Sequence, residues 1–362
     1  MLNAGAAGAS LELRAAARAD LDGLVGLLLR REGTEPDEEA ARRTLQELDP
    51  ARCIAWMAAA DGRPVGISTV LVRTVAAGAR SWRAGYWCAL YVDPAFRQRM
   101  VYPLLPRAMH RAVGAGGLDF VYACVRIPWL VAAHQKIGLV RLGELPVLAK
   151  PLAPAALLAR HRGLGGASEA AGWPIDRVAA AYRRLRRAGA LAGHAVAPLR
   201  WDGPDLGEVA SLWERAACRS IGQPWSADLL RRRYGDAGAA YALLAVRRRG
   251  RAVAAAVVRV VRRERLLLGV LLDVVADDPG DGWAWRAALA AAEAHAHALG
   301  CHAVLALDGP GVLPEGTLRA AGYLATPERY TFLVWPCREP GPGSPLRDLR
   351  RWRFAFGDHD AF

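Results

Sequence analysis

The predicted order of helices and strands occurs twice along the chain, once in residues 11–152 and again in residues 194–337. In each half a strand and two helices precede a run of three strands, and helix, strand, helix and a final strand follow. Matching segments echo each other, as in DGRPVGISTVLVRTV and RGRAVAAAVVRVVRR. A recurrence of this size indicates two copies of one domain. The alternation predicts an α/β (α+β) fold in which each copy is a mixed twisted sheet flanked by helices.

The length of 362 residues suits two such domains and leaves two further segments. Residues 153–193 contain prolines, glycines and the basic run DRVAAAYRRLRRAGA, which predicts a basic helical linker. Residues 338–362 begin with a Pro/Gly-rich stretch and end in the aromatic and acidic run WRFAFGDHDAF. So many large apolar groups predict a tail that docks back onto a domain.

The chain is strongly basic, with a formal net charge of +13, and only two of its 48 basic residues are lysines. An excess of arginine and alanine is typical of GC-rich coding, and on this interpretation part of the positive charge reflects composition and has no binding role. The same charge also suits an anionic partner such as nucleotide phosphate, RNA or an acidic membrane surface. Both interpretations stay open at the level of sequence.

Several classes of protein are excluded by pattern. No apolar run approaches the roughly 18 residues of a membrane span, and the N-terminus does not resemble a secretory signal. The cysteines form no CxxC pair and no zinc-type spacing, which predicts reduced thiols in a cytoplasmic protein without a metal site. These cysteines are Cys53, Cys88, Cys124, Cys218, Cys301 and Cys337.

The strongest chemical signal is the junction ALYVDPAFRQRMVYPLLPRAMHRA at residues 89–112. A strand ends at Val92, Pro94 breaks it, and an arginine-rich turn leads into a helix. The free amides and positive dipole of a helix start form an anion site, and Arg97, Arg99 and Arg107 add charge.

This junction resembles the phosphate-binding motif V-x-P-x-(F/Y)-R-x-x-G-x-(G/A) of the GNAT-type N-acetyltransferase superfamily. The matching run begins at Val92 and ends at Tyr102, and the later K-x-G-(F/L) pattern is matched by residues 136–139. The GELPVLAKPL strand, the SADLLRRRY segment and the terminal WRFAFGDHDAF are similar to a bacterial group with two GNAT-like domains in tandem. The resemblance therefore implies two tandem GNAT-like domains with acetyl-CoA or another acyl-CoA as co-substrate.

The resemblance also implies where the CoA would bind. Met100 and Tyr102 stand where the family has small residues that let phosphates approach the backbone, so we expect a degenerate loop. In the second half the acidic run DDPGDGWAWR replaces the loop and predicts poor CoA binding. The implied CoA-binding residues are Leu90, Val92, Arg97, Gln98, Arg99, Met100, Val101 and Tyr102.

The catalytic residues implied by the resemblance differ in type from those usual in the family. His134 takes the place of the family's general-acid tyrosine, and imidazole can transfer a proton near neutral pH. The strand before the loop has no carboxylate, so a water chain or Asp273 of the second half would serve as base. Arg126 and Trp129 are the implied substrate-binding residues. Each of these residues also has a structural interpretation. His134 would be a histidine without a chemical role, and Asp273 a hydrogen-bonded residue at a strand end. Arg126 would form a salt bridge, and Trp129 would be part of a cleft wall.

Three functions remain. The first is an N-acyltransferase that moves an acyl group from acyl-CoA to an amine of a small biosynthetic substrate. The second is a transferase that uses aminoacyl-tRNA as donor, and the third is a non-catalytic GNAT-like binding protein. The acceptor, the length of the acyl chain and the oligomeric state are left open by the sequence.

Overall fold

In the computed structural model, residues 10–31, 38–163, 166–235, 241–338 and 344–359 are described, and their strands form one continuous twelve-stranded sheet. The first half contains β1 (Leu11–Ala15), α1 (Leu21–Leu29), α2 (Glu38–Leu45), β2 (Cys53–Ala60), β3 (Arg63–Ala77), β4 (Arg80–Val92), α3 (Val101–Ala115), β5 (Phe120–Val125), α4 (Pro128–Lys136) and β6 (Val140–Pro151). The connecting segment contains α5 (Pro154–His161) and α6 (Gly166–Ala190). The second half contains β7 (Ala195–Leu199), α7 (Leu206–Ala217), α8 (Ala227–Leu230), β8 (Tyr241–Arg248), β9 (Arg251–Arg263), β10 (Leu266–Ala276), α9 (Gly282–Ala298), β11 (Ala303–Leu307), α10 (Thr317–Ala320) and β12 (Leu324–Pro336).

The two halves exchange their last strands. Along the sheet the order is β1-β2-β3-β4-β5-β12-β6-β11-β10-β9-β8-β7. Strand β12 pairs antiparallel with β5 of the first half, and β6 pairs antiparallel with β11 of the second half and with β12. The predicted fold class, a mixed sheet with flanking helices in two copies, is confirmed. The two sheets are joined into one, however, and neither half completes its sheet alone.

The duplication is visible in the parallel strand pairs. Among the described strands, each half has one parallel pair, β4 with β5 and β10 with β11, over four residues each. Gly85 lies in the first pair and Gly269 in the second. A Cβ atom at Gly85 would lie 2.7 Å from Val70 Cγ1, and one at Gly269 would lie 2.7 Å from the Ala296 Cβ. Both glycines therefore allow a close approach at the same place in the repeat.

Helices cover both faces of the sheet. On one face α1, α2, α7, α8 and the C-terminal segment share a single apolar core that extends across both halves. On the other face α3 and α4 pack on the first half and α9 on the second, in separate clusters. The shared core is rich in aromatic side chains, among them Trp82, Tyr86, Phe120, Tyr122, Trp213, Phe332, Trp352, Phe354 and Phe356.

The described parts of the connecting segment and of the tail pack on the rest of the fold. The sequence predicted the helix α6 within residues 153–193 but not α5, and α6 packs against α5 and α9. In the tail, residues 344–359 lie on the shared core, with Trp352, Phe354 and Phe356 buried. Residues 339–343 and 360–362 of the predicted tail lie outside the described residues. The predicted domain limits stay a prediction, because β6 and β12 pair across them.

Candidate active site

Strands β4 and β5 separate at their carboxyl ends. They pair only from Ala84 to Trp87 on β4, and the next residue, Cys88, is a bulge in the pairing of β4 with β3. From Cys88 to Val92, β4 is paired with β3 on one side only, while β5 continues beside β12. We call the space between residues 88–92 of β4 and the end of β5 the β4–β5 opening. Leu90 lies beyond the last residue of β4 that pairs with β5, so its backbone has no strand partner on the β5 side and is available to a ligand.

The two predicted CoA-binding residues on β4 differ in position. Leu90 is half-buried along the β4–β5 opening, together with Cys88 and Ala89. Val92 is fully buried and packs in the cluster that β4 shares with α3, so its side chain faces the helix. Val92 can therefore contact a ligand only through its backbone.

The start of α3 leaves amides without a partner. Asp93 accepts a hydrogen bond from the Ala95 amide at 3.0 Å and so caps the preceding turn, while α3 itself has no side-chain cap among the described residues. The amides of Val101 and Tyr102 belong to the first helical turn, which has no acceptors within the helix. The next residue, Pro103, has no amide hydrogen. The helix start thus has the geometry of an anion site.

Met100 adopts the conformation that a glycine would favour. Its φ of +61° lies in the left-handed region, where a side chain is strained. The side chain is 64% exposed and points into solvent. Met100 therefore holds a backbone conformation that favours glycine, and the expected degeneracy of the loop towards CoA stays a prediction.

Charged residues of the turn lie beside this helix start. Arg97 and Gln98 are exposed, and the Arg97 Nε donates to the Val92 carbonyl at 3.3 Å. Arg99 is half-buried, with its guanidinium 5.7 Å from the centre of the Phe96 ring. The two guanidinium groups add positive charge to the positive end of the α3 dipole.

Tyr102 and Trp129 face each other across the starts of α3 and α4. Their ring centroids are 5.1 Å apart at an interplanar angle of 83°. Because β4 and β5 are parallel, the helices that follow them begin at the same edge of the sheet, beside the β4–β5 opening. Trp129 is exposed and Tyr102 half-buried, so this aromatic pair forms a wall of the opening.

His134 packs against Trp87, the last residue of β4 that pairs with β5. The side chain is 2% exposed, and its ring packs edge-on against Trp87, with centroids 4.7 Å apart. Its Nδ1 is 2.8 Å from the Leu130 carbonyl. Burial lowers the pKa of His134, against the effect of that hydrogen bond, so the neutral imidazole is favoured. With Nδ1 protonated towards the carbonyl, Nε2 keeps a lone pair and suits accepting a proton.

Asp273 lies far from His134 and is engaged in a structural ion pair. Its carboxylate accepts from Arg353 Nη2 at 2.6 Å and from Trp213 Nε1 at 2.8 Å, and both members of the ion pair are buried. Five strand-to-strand steps separate β10 from β4, about 24 Å at the usual spacing. Asp273 therefore anchors the tail, and both of its carboxylate oxygens are engaged by Arg353. A role of Asp273 as base stays a prediction.

The predicted substrate residue Arg126 is also paired. Its Nη1 atom is 3.3 Å from Oε1 of Glu328 on β12. The Nη1 atom of Arg263 lies 3.4 Å from the same carboxylate oxygen. Arg126 follows the end of β5 at the same edge as Trp129. The two predicted substrate residues are thus brought to the opening, with Arg126 held by an ion pair.

The corresponding helix start in the second half is closed. Asp281 accepts hydrogen bonds from the amides of Trp283 and Ala284, both at 3.0 Å, and forms an ion pair with Arg248 at 2.8 Å. Burial alone would raise the pKa of Asp281, but the Ala284 amide and Arg248 outweigh it and hold the pKa below its ordinary value. This carboxylate occupies the place that a phosphate would take on α9.

The tail contributes groups that sequence reasoning did not assign. The Tyr86 hydroxyl lies 2.5 Å from His359 Nδ1, and the His359 ring packs edge-on against Tyr330 at 4.6 Å. Arg73 donates to the Asp358 carbonyl at 2.8 Å. The tail therefore covers the face of β4 and β5 opposite to His134. The only sequence signal was the cluster of aromatic and acidic residues near the C-terminus.

The described residues contain neither a cluster of metal ligands nor a helix that could span a membrane. Among the described residues, no group of three His, Cys, Asp or Glu side chains could hold a metal ion. In the same part of the chain, every helix is too short or too polar to cross a bilayer. Cavities of about 480 and 400 Å³ lie elsewhere, beside Arg249 and Arg73 respectively.

Comparison with known proteins identifies the fold. No family model and no curated protein matches the chain. Among solved structures, a GCN5-related N-acetyltransferase from Kribbella flavida superposes with a TM-score of 0.58 at 14% identity, over 90% of this chain and 71% of that one. A tandem GNAT protein from the clavulanic acid biosynthesis pathway gives 0.59 at 16%, over 91% and 100%. Saccharomyces cerevisiae N-myristoyltransferase with bound myristoyl-CoA gives 0.63 at 12%, over 90% and 78%. The chain therefore has the fold of the GNAT superfamily, in two tandem copies.

Proposed function

We propose that the protein is an N-acyltransferase that takes an acyl group from an acyl-CoA bound to its first half. The observation that carries this proposal is the contrast between the two helix starts. The α3 start is uncapped, faces the β4–β5 opening and has two arginines beside it, whereas Asp281 closes the α9 start. A diphosphate is attracted to the first and repelled by the second.

The donor class rests on the shape of the opening and on the fold. A pantetheine chain is narrow and can lie between diverging strands, with its thioester at the unpaired edge of β4. Neighbours of this fold include a transferase with myristoyl-CoA bound. Acetyl-CoA and longer acyl-CoAs both remain candidate donors, and the acceptor is a small-molecule amine.

The reaction needs little from the protein beyond positioning. A backbone amide at the edge of β4 near Leu90 polarises the thioester carbonyl, and the neutral amine attacks that carbon. The new C–N bond forms as the C–S bond breaks. His134 Nε2 accepts the proton that the amine loses and returns it to the CoA thiolate. The neutral state favoured by burial suits the first of these two transfers.

The test is calorimetric titration of acetyl-CoA and longer acyl-CoAs into the wild type and two variants. Charged hydrogen bonds to phosphate are strong, so R97A/R99A is expected to weaken binding by about tenfold or more. The matched control is R286A, which removes an exposed arginine from the first turns of α9 and should leave affinity unchanged. Melting curves of both variants check that they fold.

The proposal is overturned if no acyl-CoA at millimolar concentration gives heat or raises the melting temperature of the wild type. A salt-sensitive shift in the electrophoretic mobility of tRNA, together with no response to CoA, would instead identify an aminoacyl-tRNA-dependent transferase. RNA extracted from the purified protein distinguishes the same two cases independently.

A further inference from the structure

We infer that α6 carries a docking face for an anionic lipid surface. Besides Trp173, four exposed large apolar side chains lie on α6, Ile175 at 60%, Val178 at 70%, Tyr182 at 60% and Leu185 at 74%. Their spacing places them along one line of the helix, over about 15 Å at 1.5 Å per residue. We call these four residues the α6 stripe. An exposed apolar line of this length is unusual on a folded domain.

The other side of α6 is already used for packing, so the stripe cannot turn inward. The Asp176 carboxylate accepts hydrogen bonds from the amides of Ala155 at 2.8 Å and Ala156 at 3.1 Å, at the start of α5. A Cβ atom on Gly172 would overlap the Ala155 side chain. These contacts fix the rotation of α6 and leave the α6 stripe facing solvent.

Arginines lie on both sides of the α6 stripe. At about 100° per residue, the exposed Arg186 borders the stripe next to Ile175, the exposed Arg177 and Arg184 lie beyond its other edge, and Arg187 lies towards the packed side of α6. In residues 171–190 the single carboxylate is Asp176, which already holds the start of α5. The guanidinium of Arg177 lies 4.0 Å from the centre of the exposed Trp173 ring. The outward part of α6 thus combines positive charge with apolar and aromatic side chains.

This combination selects one occupant. A second copy of the same face would bring like charges together. A nucleic acid would satisfy the arginines but would leave the aliphatic side chains of the α6 stripe in contact with water. An anionic bilayer accepts the aliphatic groups at the acyl boundary, the arginines at the phosphates, and Trp173 and Tyr182 at the interface between them. The helix would then lie in the plane of the membrane surface.

The inference is independent of the proposed acyl transfer, and vesicle co-sedimentation of the full chain tests it. We expect binding to phosphatidylcholine vesicles that contain phosphatidylglycerol, little binding to phosphatidylcholine alone, and weakening by salt. R177Q/R186Q, one arginine on each side of the α6 stripe, should reduce partition by about 30-fold, because one arginine near an anionic surface contributes about fivefold. V178D/L185D should reduce it by about tenfold or more, since each change removes an apolar group and adds a negative charge.

The matched control is L324D, at an equally exposed leucine that begins β12. This variant replaces one exposed leucine by aspartate outside α6, as L185D does within α6, and should bind as the wild type does. Circular dichroism checks the fold of every variant. Failure of the wild type to sediment with anionic vesicles at low salt overturns the inference. So does equal loss in V178D/L185D and L324D, or binding to RNA with none to vesicles.

Discussion

Replacing Arg353 with methionine removes the cation that compensates the buried carboxylate of Asp273. The guanidinium donates at 2.6 Å and 3.2 Å to the two carboxylate oxygens and at 3.0 Å to the Val274 carbonyl. After the change, Asp273 keeps the Trp213 indole and the Val274 amide but no positive charge. An uncompensated buried charge costs about 3–5 kcal/mol, so we expect the free energy of unfolding to fall by that amount.

Urea unfolding monitored by tryptophan fluorescence measures this loss. The control is Arg351→Met two residues earlier, whose exposed side chain is 3.9 Å from Asp348 and should contribute at most about 0.5 kcal/mol. In the double variant R353M/D273N the buried charge is gone as well. Neutral replacement of both partners of a buried pair costs little, so the double variant should regain most of the loss.

A loss below about 1 kcal/mol in R353M would refute this reasoning, because it would mean that solvent or another cation reaches Asp273. A double variant no more stable than R353M would contradict it equally. In that case the loss would come from apolar contacts of the arginine stem in the tail, and the ion pair would have no measurable role.

Three more predictions follow from individual side chains. Burial and the neighbouring Asp273 raise the pKa of Asp358 to about 6, so the native state binds the extra proton and the free energy of unfolding falls as pH rises from about 4 to 6, by about 3 kcal/mol. Asp358→Asn should abolish this slope in urea titrations at several pH values, and an unchanged slope would contradict the assignment. Met100→Gly relieves the left-handed backbone strain at this position, so it should raise the free energy of unfolding by up to about 1 kcal/mol and tighten acyl-CoA binding. A lower free energy of unfolding would show instead that the exposed side chain has a packing role. His134→Gln should lower kcat about 100-fold with little change in KM, and it should remove the acid limb of the kcat–pH profile, which lies below pH 6.5. The control His110→Gln should have neither effect. Equal rates in the wild type and both variants would exclude proton transfer by His134.

The features that could be predicted from the sequence are local ones. The strand that ends at Val92, the turn with Arg97 and the helix that follows were all recognisable, because breaker residues and hydrophobic periodicity are properties of short segments. The acidic run before α9 could also be recognised in the sequence. That Asp281 caps this helix is shown only by its hydrogen bonds with the amides of Trp283 and Ala284.

The features that could not be predicted depend on distant residues. Strands β6 and β12 have similar patterns, and nothing local decides which half each one completes. Asp273 appeared as a candidate base because its partner Arg353 is 80 residues away. The charge state of His134 likewise depends on burial against Trp87, which belongs to another element of the fold.

Hydrogen exchange with and without acyl-CoA tests the central claim most directly, namely that the first half holds the donor at the start of α3. The account predicts protection in peptides that cover residues 88–105, which contain the edge of β4 and the amides of Val101 and Tyr102. Peptides that cover residues 277–289, at the closed start of α9, should exchange as in the free protein. Protection of the α9 peptides alone, or of neither region at saturating ligand, would contradict the account.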